Sequence, residues 1–87
     1  MSNLRKSIHS SEHEFLRRLL KERREQLGLS QRALGKRMDV IYSFIGKVET
    51  GDRRLDVIEF VEYCKALNLD ASDVIKQIQT EDFKSDK

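Results

Sequence analysis

The chain has 87 residues with 17 Lys and Arg against 15 Asp and Glu, one cysteine, no proline and 4 glycines. One domain with a thin core fits that length, and the single cysteine excludes an internal disulfide framework and fits a reducing compartment. The shortage of Gly and Pro argues against a turn-rich β fold, and no apolar run approaches the ~18 residues of a membrane span.

Residues 1–10 read as a flexible polar arm with Arg5 and Lys6, lacking the apolar stretch of a signal peptide. Ser11 and Glu14 have capping-box spacing, which predicts a helix from about Glu12. Its apolar stripe is Phe15, Leu16, Leu19 and Leu20, with Arg17, Arg18, Lys21, Arg23 and Arg24 around it. Gly28 is the expected left-handed stop. Ser30 then caps a short second helix, Gln31 to about Met38, with Leu34 and Met38 inward. Asp39-Val40-Ile41 leaves room only for a tight turn before a third helix, Tyr42 to Thr50, closed by Gly51. Ile45 and Val48 set its inner face, and Phe44 is expected to pack on the scaffold. Asp56 and Glu59 repeat the capping-box spacing at a fourth helix whose apolar face is Val57, Phe60, Val61, Cys64 and Leu67. Asp70 caps a fifth, with Val74, Ile75 and Ile78 inward, and residues 80–87 read as a fraying tail. The expected organisation is therefore an arm at 1–10, an all-α domain of five helices at 11–79 and a tail at 80–87.

Charge is unevenly placed along the chain. Residues 1–54 hold 13 Lys and Arg against 7 Asp and Glu, and residues 55–87 hold 4 against 8. A basic front and an acidic back suit a molecule with one face toward phosphate. No catalytic constellation, glycine-rich phosphate loop or metal-ligand cluster accompanies them. His9 and His13 lack partners at ligand spacing, and Cys64 on an apolar face reads as core. The expectation is a non-enzyme with no cofactor or metal.

Two short helices joined by a three-residue turn have helix-turn-helix spacing. Helices so closely joined must cross tightly, which explains a glycine at Gly35 inside a helix, where it otherwise costs about 1 kcal/mol. The residues Leu27-Gly-Leu-Ser-Gln31, Leu34, Ile45, Val48-Glu49-x-Gly51 and Ala66-Leu-Asn-Leu69 resemble the Cro/repressor (Xre) family of bacterial and phage regulators. The likeness runs from about Phe15 to Ile78 and implies a compact five-helix lambda-repressor-like bundle. Two positions depart from the family pattern. Asp39 replaces a turn glycine, which aspartate tolerates, and Ile41 stands where a capping Ser, Thr or Pro is usual. Ile41 is expected to be half buried, with contact to a thymine methyl as the alternative.

With Ile45 and Val48 inward, Tyr42, Ser43, Gly46 and Lys47 are expected to face base edges, and Lys47 can donate to guanine O6 and N7. Gln31 at the start of the second helix is expected to hold a phosphate, as the family resemblance also implies. Thr50, Arg53 and Arg54 are expected on a second phosphate stretch. The resemblance further implies an ion pair between Arg24 and Glu49. The implied function is sequence-specific recognition of double-stranded DNA by a cytoplasmic, nucleoid-associated homodimeric repressor. The candidates for the partner surface are Val74, Ile75, Ile78 and Phe83. The rivals are an antitoxin with a toxin partner, a restriction-system controller, or a protein-interaction module that kept the fold and lost DNA, a reading that Asp39 favours.

Overall fold

A computed structural model describes residues 10–81 as five helices and no strand: α1 (Ser11–Gln26), α2 (Gln31–Met38), α3 (Tyr42–Thr50), α4 (Val57–Ala66) and α5 (Ala71–Thr80). Of the expected arm at residues 1–10 only Ser10 is described, and it is buried as the N-cap of α1; residues 1–9, and Phe83 in the tail, lie outside the described residues. α1 begins one residue earlier than its capping-box spacing predicts. Its N-cap is Ser10, whose hydroxyl accepts the His13 N–H, while the Ser10 carbonyl accepts the Glu14 N–H at 2.9 Å. Starting there places Glu12 and Glu14 in the first turn, against the positive end of the helix dipole. Ser30 caps α2 by accepting the Ala33 N–H at 3.0 Å. Asp56 and Glu59 form a complete capping box on α4, with reciprocal bonds of 2.7 and 2.9 Å.

One core joins α1 to α4, and α5 adds the buried Val74. Leu20, Leu34, Ile45, Val48, Tyr63, Cys64, Leu67 and Val74 are buried, and Leu16, Leu19, Phe44, Leu55 and Leu69 pack around them. Tyr63 is the largest fully buried side chain, and no sequence pattern singles it out. Burial pushes its phenol well above the ordinary tyrosine range, and its hydroxyl has no hydrogen-bond partner among the described residues.

α2 packs most closely on α3. The crossing is tight at Gly35, where a Cβ would come within 2.8 Å of the Val40 carbonyl oxygen and 3.3 Å of the Tyr42 Cα. Both neighbours are backbone, so any side chain there would push the turn open. The turn itself depends on Asp39, which caps α2 in the left-handed region at φ 58°, ψ 44°.

Several apolar positions depart from expectation. Val57 belongs to no inner face: it is 75% exposed, and Ile58 beside it is 67% exposed. The α4 face toward the core begins one turn later and includes Tyr63, so the two residues that open the helix lie outside it. Ile41 is 69% exposed, not half buried. It is the non-helical N-cap of α3 and makes no side-chain capping bond. On α5, Val74 is fully buried and cannot touch a partner, Ile75 is turned out at 47% exposure, and Ile78 is half buried. The 100° step between adjacent helical residues separates Val74 from Ile75.

Candidate nucleic-acid interface

The helix-turn-helix is held from beneath by a buried ion pair. Arg24 donates through Nε to Glu49 at 2.6 Å and through Nη2 at 3.1 Å, and its Nη1 donates to the Leu29 carbonyl at 2.7 Å. The two side chains are 10% and 4% exposed. Hydrogen bonding to Glu49 raises the Arg24 guanidinium above its ordinary range, against the opposing effect of burial. The pair thus ties the end of α1, the loop before α2 and the end of α3 into one unit.

Glu49 also accepts a hydrogen bond from Gln31 Nε2 at 3.0 Å. Gln31 is therefore fixed by the same carboxylate that fixes Arg24. Its carboxamide lies over Gly46, where an added Cβ would meet Gln31 Oε1 at 3.4 Å. The small residue at 46 brings the first turn of α2 and the middle of α3 into a continuous surface.

Tyr42, Ser43 and Lys47 are exposed on α3, and Gly46 is half buried between them and Gln31. The guanidinium carbon of Arg32 lies 4.2 Å from the Tyr42 ring centroid, close enough for cation–π attraction. That contact was not legible in the sequence, because nothing about Arg32 distinguishes it from the other arginines. Thr50 donates its hydroxyl to the Lys47 carbonyl at 3.3 Å. Arg53 follows on the loop with its guanidinium 5.0 Å from the Phe44 ring. It also pairs with Glu59 at 2.6 Å and donates to the Arg54 carbonyl at 2.9 Å. Phe44 is half buried between the core and this arginine.

Two other arginines of the basic half point away from this face. Arg23 donates to the carbonyls of Leu67 and Asn68 at 2.9 and 3.3 Å, and Arg37 donates to that of Ala66 at 2.8 Å. Both satisfy carbonyls at the C-terminal end of α4, where helix geometry leaves acceptors unpaired and cations are favoured.

Among the described residues no three His, Cys, Asp or Glu side chains gather at metal-binding distance. No helix among them is long and apolar enough to cross a membrane. Cys64 is buried, which pushes its thiol up to about 11 and leaves it a packing residue.

Comparison with known proteins agrees with this architecture. A helix-turn-helix family model matches residues 20–74. The solved structure of an XRE-family like protein from Pseudomonas syringae pv. tomato is similar, with 36% sequence identity and a TM-score of 0.79; the match covers 90% of this chain and 95% of that one. The restriction-modification controller protein C.AhdI from Aeromonas hydrophila is similar at 27% identity and a TM-score of 0.64, covering 69% of this chain and 87% of its own. No curated protein sequence matches the chain significantly. The chain belongs to the Xre family of helix-turn-helix proteins, DNA-binding regulators of transcription.

Proposed function

We propose that the chain is a homodimeric repressor that reads the major groove with α3. The observation that carries this is the continuous surface formed by Gln31, Gly46 and Lys47, held rigid by Glu49 and Arg24. A recognition surface fixed before DNA arrives avoids the affinity lost in ordering it on binding. Lys47 is the residue best suited to guanine, Ser43 and Tyr42 accompany it, and Gln31 at the α2 N-terminus meets a phosphate. Thr50, Arg53 and Arg54 line the phosphate track after α3. Arg53 reaches it from a stacked, ion-paired position on Phe44 and Glu59. The reading places the protein in the cytoplasm with the nucleoid.

Exposed aliphatic surface supports pairing of two copies. Val57 and Ile58 are adjacent and together expose more apolar surface than Ile75 on α5 does. Glu59 of the same helix pairs with Arg53, which stacks on Phe44 of α3, and the proposed two-fold axis lies at this end of α4. Half-sites about 34 Å apart are the geometric expectation. A second reading, control of a restriction-modification system, is favoured by the similarity to C.AhdI and differs in the genes regulated, not in the chemistry.

The test is selection of bound duplexes from a random pool, followed by affinity measurements at two salt concentrations. A palindromic motif and an affinity that falls steeply with salt are expected. Lys47→Ala should relax one base position at a cost of about 1–3 kcal/mol, whereas Gln31→Ala should weaken all sequences alike. Failure to enrich any motif would refute sequence-specific binding.

A further inference from the structure

We infer that Ile41, together with Tyr42, forms an apolar contact for a thymine 5-methyl group, so that this chain discriminates thymine at one position of each half-site. The inference rests on the reading that α3 enters the major groove.

Ile41 sits at the N-cap of α3, the end of a recognition helix that meets base edges. A side chain that accepts a backbone N–H is the chemically favoured occupant of an N-cap, and isoleucine cannot do this. Neither does Ile41 serve the core, since it is 69% exposed. An aliphatic side chain that neither caps its helix nor packs on its own fold is available to a partner at the end of the helix that enters the groove. Tyr42 beside it is 44% exposed. Arg32 lies at 4.2 Å over the Tyr42 ring and restrains it. The result is an aliphatic–aromatic surface at the leading end of the helix with a cation behind it.

The surroundings identify the occupant. Arg32, Lys36 and Lys47 are exposed on the two helices of the motif, which suits a polyanion rather than an apolar protein face. Asp39, in the same turn as Ile41, is also exposed, and its carboxylate repels a phosphate there. An uncharged group of the DNA is left, and the major groove offers one apolar group, the C5-methyl of thymine.

The experiment uses the full chain and its selected duplex. Each thymine in turn is replaced by deoxyuridine, which removes the methyl and keeps every hydrogen-bonding group. Wild type should lose about three- to fivefold in affinity at one symmetric pair of positions, as expected for one buried methyl each. Ile41→Ser restores a capping side chain and keeps the fold, and Ile41→Ala shortens the side chain alone. Both should bind the thymine and deoxyuridine duplexes equally at that position. If no thymine responds in wild type, or Ile41→Ser retains the full discrimination, the inference is overturned while groove reading stands. A chain that retards no duplex overturns both.

Discussion

Replacing Glu49 by alanine deletes the acceptor of three hydrogen bonds at once, two from Arg24 at 2.6 and 3.1 Å and one from Gln31 at 3.0 Å. Arg24 would keep the Leu29 carbonyl at 2.7 Å, but its charge would be stranded in a residue only 8% exposed. Stranding one member of a buried pair costs about 3–5 kcal/mol, because the remaining ion stays desolvated without its counter-charge. The same truncation at the surface costs under about 1 kcal/mol. Total stability for a domain of this length is roughly 4–13 kcal/mol, so a loss of about 3–5 kcal/mol removes at least about a fifth of it. With a urea slope of about 1 kcal/mol/M, the denaturation midpoint should fall by about 3 M or more. A midpoint within about 1 M of wild type would refute the reasoning. The double variant Arg24→Met/Glu49→Leu separates charge from packing. It should recover much of the loss, since an apolar pair of similar volume replaces a buried ion pair at little net cost.

Gly35→Ala should destabilise by about 1–3 kcal/mol in thermal denaturation, although helix propensity alone favours alanine by about 1 kcal/mol; a raised Tm would show that the turn yields to the Cβ. Ile58→Asp should abolish dimerisation in sedimentation with an operator-length duplex, and Ile75→Asp should leave it intact. The reverse ranking would move the pairing surface to α5. Burial holds the Cys64 thiol at about 11 in the fold against an ordinary 9.0. The folded chain therefore keeps a proton that the unfolded chain loses, and stability should decline as pH rises from about 9 to about 11. Tyr63, raised in the same direction from 10.0, adds to that decline at higher pH. Urea midpoints at pH 7, 9 and 10.5 check this, and a flat profile would show that neither group is protected.

Most of the helix boundaries were legible because each has a local chemical cause. Ser30, Asp56 and Asp70 cap by accepting backbone N–H groups, and Gly28 and Gly51 adopt positive φ at 71° and 90°. Asp39 was legible as a left-handed residue because its short polar side chain tolerates that region. At the start of α1, two consecutive serines offered two registers, and capping-box spacing chose Ser11 where the fold uses Ser10. Helical periodicity marked an inner face for α4 but could not tell that Val57 lies beyond the rim of the core, since rim and core share one stripe at a helix end. The packing of Arg32 on Tyr42 and the hold of Glu49 on Gln31 join residues ten and eighteen positions apart, so no local pattern carries them.

The charge asymmetry of the sequence has two physical causes. On the proposed interface Lys47 is assigned to a base edge, and Arg53 and Arg54 to phosphate. Arg23, Arg24 and Arg37 belong to the same basic half yet act inside the fold, on the carbonyls at the end of α4 and on Glu49. Five short helices leave many unpaired carbonyls relative to their length, and an apolar core supplies no donor to satisfy them. Long arginine side chains reach across from α1 and α2 to satisfy those at the end of α4. The basic front half therefore overstates the number of contacts available to DNA. The salt dependence of binding should accordingly reflect only the cations on the α2–α3 face and its loop, fewer than the 13 that residues 1–54 contain.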